Sequence, residues 1–296
     1  MPPTGLDPLR HHGPVILLLP ADPLRPRRPD GHFAPEAAAA RDLGFDVVLV
    51  DHDALTRPAG PSPRIVAPTA ATGPAVYRGW MLRAEEYAVL AATLRERDIE
   101  LRTTPEQYRR AHELPGWYAD LAAVTPYSVW TVGADRADFD RARAELGSGP
   151  AVLRDYTKSM KHHWDEAVHV ADVADAAAAW RVAARFLELR DDEFVGGLVL
   201  RRFERFVSAE VRTWWIDGRP ALVTAHPDTP DREPPADVDL SVVAPLVAGL
   251  DLPFVTADLV LRDDGRWRVV ELGDGQVSDR PAGTDPAALL TALRFS

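Results

Sequence analysis

Asp258 and Glu271 are the two residues of this chain best placed to do chemistry together. They lie in FVTADLVLRDDGRWRVVELGDGQ, residues 254–276, where two alternating apolar runs flank Asp264-Gly265, a dipeptide suited to the left-handed positions of a type I′ hairpin turn. With that two-residue loop Asp263 pairs with Arg266, and counting back along the ladder sets Asp258 opposite Glu271. Carboxylates opposed on one sheet face repel. The pair therefore asks for a cation, and oxygen-only ligands on strands suit Mg²⁺, which also binds phosphate oxygens. The hairpin reads as a metal platform for a phosphate-bearing substrate. The alternative is a solvated face, with a slip of turn register separating the two carboxylates.

Positive charges supply the complement. Arg154 follows the apolar run 151–153, Lys158 lies in the polar turn beyond it, and Lys161 comes soon after. If residues 198–206 form a strand, Arg202 and Glu204 share one face and Arg201, Phe203 and Arg205 the other. A second hairpin, with Asp217-Gly218 as its loop, places Glu210, Arg212 and Trp214 on one face. A nucleoside triphosphate needs cations at its phosphates, carboxylates for its metal and an apolar slot for its base. This half of the chain holds all three kinds of group. Taken singly, each basic residue is equally well explained as a solvated surface charge. Arg212, in a strand dense with aromatics, fits that explanation least.

The elements that must position these residues fall into two parts. The chain has 296 residues, enough for about two domains. Before residue 125 the pattern is α/β: apolar strands at 14–19 and 45–51 flank a helix at 36–43 that stops at Gly44, and strand, helix, strand at that spacing implies parallel pairing. A further strand is expected near 75–78, a helix over 84–97, and another helix starting at Thr104-Pro105. The polar loop from Pro20 to Pro35 lies past the end of the first strand, where open α/β sheets bind ligands. A boundary is expected at Thr125-Pro126. Beyond it come a strand at 128–132, a helix at 136–146 and, from Gly197, strand after strand with hairpin turns, which predicts antiparallel pairing and α+β architecture.

Composition excludes several classes. There is no cysteine, hence no disulfide, thiolate metal site or cysteine nucleophile. No apolar stretch approaches membrane-spanning length, and the N-terminus does not read as a secretory signal, so the expectation is a cytoplasmic protein without a membrane partner. The net charge of −11 argues against non-specific nucleic-acid binding. No G-x-G-x-x-G follows the first strand, which removes support for a dinucleotide fold. His11-His12 and His162-His163 are adjacent pairs that do not converge on one metal, Ser159 lacks a nucleophile-elbow context, and His112 reads as a packed or exposed helix residue. The loop 229–235 reads as a lid or plain surface.

The order of these parts resembles the ATP-grasp superfamily: an α/β domain, a strand with a basic residue and a flexible loop, a strand reaching Glu204, then Glu210-Val-Arg212, Asp258, and Glu271 before a polar turn. The strings YRGW at 77–80, LRDYTKS at 153–159 and ELGDGQVS at 271–278 look like a branch of stand-alone ATP-grasp proteins. The resemblance implies a pre-ATP-grasp α/β domain over 1–125 and an ATP-grasp module over 126–296, with ATP between lobes of about 126–197 and 198–296. It implies that Asp258 and Glu271 hold Mg²⁺, that Arg212 and Lys158 contact phosphates as the catalytic cations, and that Arg202, Phe203 and Glu204 belong to the adenine linker. Arg154, Lys161 and Glu210 complete the expected nucleotide contacts, and Arg78 is expected to hold a substrate carboxylate.

Three departures qualify the resemblance. Arg154 replaces the usual lysine, and the two do not hold a phosphate alike. ThrLysSerMetLysHisHis replaces the usual glycine-rich loop. Gly273 stands where the metal motif has Asn, and Asp274 would need a bulge to supply that oxygen. The implied activity is an ATP- and Mg²⁺-dependent carboxylate–amine or peptide ligase working through an acyl phosphate. Phosphoryl transfer to another acceptor and non-catalytic nucleotide binding stay open.

Overall fold

Ile16, Leu17, Leu18 and Leu19 have no solvent exposure at all, as a strand covered on both faces requires. They begin β1 (Ile16–Asp22) in a computed structural model that describes residues 15–57 and 65–294; His11-His12 lies outside the described residues. The chain divides into two compact units. One runs to Pro105 and regains Gln276–Ser278 and the residues from Thr284 on; the other holds Glu106–Gly275 and Asp279–Gly283.

In the first unit β1 is followed by β2 (Arg25–Pro29), α1 (Ala34–Asp42), β3 (Asp46–Val50), α2 (His52–Leu55), β4 (Gly73–Tyr77), α3 (Ala84–Arg95) and β5 (Ile99–Leu101). β3, β1, β4 and β5 pair in parallel in that order, as the strand–helix–strand spacing predicts. The loop expected over 20–35 instead contains β2, which folds back antiparallel on the end of β1. Asp22 closes that turn by accepting from the backbone N–H groups of Leu24 and Arg25.

The second unit contains α4 (Pro105–His112, beginning at the unit boundary), α5 (Leu114–Leu121), β6 (Ser128–Trp130), α6 (Arg136–Leu146), β7 (Ala151–Arg154), β8 (His169–Val170), α7 (Ala176–Arg190), β9 (Val199–Arg202), β10 (Val211–Ile216), β11 (Arg219–Ala225), α8 (Ala244–Gly249), β12 (Phe254–Leu261) and β13 (Trp267–Asp274). Its strands form two antiparallel sheets, β6-β9-β7-β8 and β11-β10-β12-β13. The first packs on α6 and α7 through Phe139, Leu146, Ala183 and Phe186. The second buries Trp215, Ala257, Leu259 and Val269 against Leu114, Trp117 and Leu121 of α5 and Val247 of α8. That packing places α5 in the second unit, so the units part at Pro105 and not at 125/126. β9 pairs with β6 and β7, which moves the division between the two sheets from 197/198 to beyond Arg202. α9 (Pro286–Arg294) belongs to the first unit.

The two hairpin turns differ from each other. Asp217 and Gly218 have φ of 47° and 71° between paired Ile216 and Arg219, the expected two-residue I′ turn. The Asp264-Gly265 turn is longer: Gly265 N–H donates to Arg262 O and Arg262 N–H to Arg266 O, with Gly265 at φ 83°, a three-residue loop with a left-handed third residue. Asp263 and Arg266 therefore do not pair as expected. The ladder runs Leu261–Trp267, Val260–Arg268, Leu259–Val269, then skips Val270 and resumes at Asp258–Glu271. One strand gives a residue to the turn, the other gives one to a bulge, and the offsets cancel.

Candidate functional site

Thr224, Arg212, Asp258 and Glu271 are successive cross-strand partners on β11, β10, β12 and β13. They form one row across a sheet whose opposite face is occupied by the apolar core. Arg212 grips Asp258 with two parallel bonds, Nε to Oδ1 and Nη2 to Oδ2, both 2.8 Å. His226, just past the end of β11, sets Nε2 3.4 Å from Asp258 Oδ2 and 3.6 Å from Glu210 Oε2. Burial alone would raise the Asp258 pKa, but the Arg212 charge and its hydrogen bonds hold the carboxyl far below the carboxylate range. Asp258 is thus an ionised oxygen donor with a fixed cation. The opposed carboxylates expected from the sequence are present, and Arg212 supplies the charge that their apposition requires.

The other sheet brings cations to Glu271. Arg154, at the end of β7 and almost fully buried, places Nη1 3.9 Å from Glu271 Oε2. Its other donors hold the following turn, with Nη2 2.8 Å from Thr157 O. Burial pushes the Glu271 pKa up, and the charges of Arg154 and Lys158 more than offset this, leaving it below the ordinary value. The Lys158 side chain has no hydrogen-bonded or ion-paired partner among the described residues. Lys161 reaches across to Glu210 and Asp228, 3.3 Å from each.

This row of charges, on two antiparallel sheets, lies within residues 145–293, the stretch that matches a family model described as an ATP-grasp domain, the third family of its clade. The chain belongs to that ATP-grasp family. No curated protein matches the sequence. Among solved structures this ATP-grasp protein resembles a RimK domain protein ATP-grasp from Sphaerobacter thermophilus DSM 20745, with 21% identity over 95% of this chain and 99% of the other and a TM-score of 0.62. It resembles the D-cycloserine synthetase DcsG at 21% identity, 95% and 100% coverage and TM-score 0.59. The ATP-grasp ligase PsnB, solved with minimal precursor, Mg and ADP, is 15% identical over 94% and 96% of the chains, with TM-score 0.55.

Within the ATP-grasp domain several expected ligand residues have structural work of their own. Strand β9 ends at Arg202, so face alternation does not extend to Phe206. Arg202 donates through Nη2 to Leu146 O, 2.6 Å, at the C-terminus of α6. Glu204 is held by two 2.8 Å bonds from Arg268. Phe203 donates its N–H to Pro150 O and sets its half-exposed ring near Trp164 and His169. Asp274 pairs with Val255 in a ladder that is regular from Glu271 onward, so it lies on the face of Leu272, opposite Glu271; no bulge turns it toward the metal pair. Arg78 is fully buried in the first unit, bonded to both oxygens of Glu36 at 2.9 and 3.0 Å and to Ser278 O at 2.8 Å. It is a fold residue and does not offer its guanidinium to a substrate. The YRGW and ELGDGQVS strings meet there too, since Gln276 accepts from Tyr77 N–H and Gly79 N–H.

Three contributors escaped the sequence reading. Asp155 is fully buried and accepts from Thr157 N–H, Lys158 N–H and Arg190 Nε, fixing the backbone from which Lys158 projects. An aspartate two and three residues before the N–H groups it binds is the available signal. His226 sits two residues beyond Thr224, on the same face as the row. His112 stacks on Tyr108 at 4.5 Å, and burial first, then Lys158, pushes its imidazole down to about 4.

Proposed function

We propose that this ATP-grasp protein is an ATP- and Mg²⁺-dependent ligase that joins a carboxylate to an amine, of small molecules or peptides, through an acyl phosphate. The supporting observation is the row Arg212–Asp258–Glu271 with Arg154 beside it and Lys158 nearby: ionised carboxylates and cations gathered on facing parts of one unit. The names of DcsG and PsnB, a synthetase and a ligase, agree with this reading.

The donor set fits Mg²⁺. Asp258 Oδ1 accepts only from Arg212 Nε, whereas Oδ2 has both Arg212 Nη2 and His226 Nε2 near it, so Oδ1 keeps acceptor capacity. Glu271 stands opposite, its nearest cation beyond hydrogen-bond distance. Gly273 adds no side-chain oxygen, and the bound ion would rest on these two carboxylates, water and phosphate, as Mg²⁺ commonly does. When bound, the metal would neutralise phosphate oxygens and help stabilise the charge of phosphoryl transfer. Lys158 and Arg154 supply positive charge on the other side. Arg212 keeps Asp258 ionised and oriented. The acid's carboxylate oxygen attacks the γ-phosphorus and ADP leaves; the amine then attacks the acyl carbon, phosphate leaves, and the amine's proton passes to solvent. No protein nucleophile is required.

The test is ADP release on incubation with ATP, Mg²⁺ and a metabolite pool, with products read by mass spectrometry. The proposal expects release that depends on both an acid and an amine and a product carrying a new amide. Release dependent on a hydroxyl acceptor alone, or tight nucleotide binding without turnover, would replace it.

A further inference from the structure

Glu271 faces Asp258 only because β13 contains one extra residue. Val270 has no cross-strand partner, so both it and Glu271 stand opposite Asp258. Such a bulge re-aims a side chain but leaves peptide groups outside the ladder. On one side it is pinned at Val269, whose N–H donates to Val124 O and whose carbonyl accepts from Thr125 Oγ1 at 2.8 Å. On the other, the carbonyl of Val270 itself accepts from Nη1 of Arg201.

Arg201 is unusual for an arginine. It comes from β9 of the other sheet, is 6% exposed, and anchors Nε on Ser128 Oγ at 3.4 Å. Its Nη2 is buried without a hydrogen-bond partner. Burial and the neighbouring Arg154 charge both work against its ionisation, so this guanidinium stays in place at a cost in desolvation and like-charge repulsion. A residue needed only to fill space there would be apolar.

We propose that Arg201 is a positioning residue for Glu271: by holding the Val270 carbonyl it locks the β13 bulge and keeps the Glu271 carboxylate aimed at the space beside Asp258. The inference rests on the Mg²⁺ role proposed for Glu271. It assigns Arg201 to the carboxylate's support and not to phosphate contact.

The experiment is a double-mutant cycle in Mg²⁺ affinity, measured by titration calorimetry on the full chain with a non-hydrolysable ATP analogue present. Glu271→Gln should weaken Mg²⁺ binding, Arg201→Met should weaken it about tenfold, and the double variant should be no weaker than Glu271→Gln alone, because both changes act through one carboxylate. Arg201→Lys, which keeps the charge but loses the planar fork, should behave like Arg201→Met. In the metal-free protein, Arg201→Met should speed amide hydrogen exchange along β13 and leave β10 and β11 unchanged. Additive effects, full recovery in Arg201→Lys, or unaltered β13 exchange would each overturn the assignment. Undiminished Mg²⁺ affinity in Glu271→Gln would instead remove the metal reading on which the assignment stands, and the assignment with it.

Discussion

Two buried arginine–carboxylate pairs, one in each unit, have the same fork geometry and different surroundings. In the first unit Arg78 and Glu36 face each other with side chains 1% and 4% exposed, and the remaining guanidinium group caps main-chain carbonyls. In the second unit Arg212 and Asp258 are nearly as buried, but His226, Glu210 and Asp228 stand within a few ångströms of one another there, and Asp279 O accepts from Arg212 Nη1 at 2.9 Å. A closed pair can only be kept or broken. A pair inside a larger set of charges can exchange partners, so a ligand phosphate or metal can enter without stranding a bare ion.

Breaking either pair from one side should produce the largest effect. Arg78→Met and Asp258→Asn should each cost about 3–5 kcal/mol of folding stability, read by urea denaturation; a neutral result in the first unit would mean that Glu36 finds another partner. Glu271→Gln should separate function from fold. Turnover should fall on the order of a hundred- to a thousandfold with the melting temperature almost unchanged, since Glu271 has no close ion-pair partner; a large loss of stability would make it a structural carboxylate. Acid should act on the second unit through His112. Its folded pKa of about 4 lies below the ordinary 6.5, so the unfolded chain binds the proton more tightly. Stability is then fully present above pH 6.5 and declines by up to about 3 kcal/mol as pH falls toward 4. His112→Phe, which keeps a ring on Tyr108, should flatten that decline; an unaltered pH profile would assign the acid sensitivity elsewhere. Arg212→Lys should have the smallest effect, about a tenfold loss of ATP affinity in a folded protein, and unchanged calorimetric affinity would leave Arg212 as a purely structural partner of Asp258.

The sequence showed the elements well where periodicity was strong. The helix at 136–146 and the Asp217-Gly218 turn are where the pattern put them, as are the parallel first sheet and the antiparallel second part. The Asp258–Glu271 apposition was also legible, although by a route the structure does not take. Counting from a two-residue turn gives the right pair because the longer turn and the Val270 bulge offset each other. Nothing local distinguishes Val269 from Val270; only the packing of Val269 against the helices selects which valine faces the core. Arg78 and Glu36, far apart in sequence, are joined only by the fold, and a buried pair looks the same in sequence as two surface charges. Arg202 and Glu204 misled for a related reason: the strand ends before the alternation that their spacing suggests.

Lys161 has a consequence for rates. Its ammonium bridges Glu210 and Asp228 across from the loop that follows β7, and it is two-fifths exposed. Exposed ion pairs of this kind contribute about 1 kcal/mol or less each, too little to hold a passage shut for long. Ordinary electrostatic steering makes the capture of an anionic ligand slower as salt is added. Here added salt also loosens the bridge that spans the entrance, so the two influences oppose each other and the association rate should depend only shallowly on ionic strength. Replacing Lys161 with methionine would remove the bridge and leave the steering charges of Arg154 and Lys158, restoring the steeper decline.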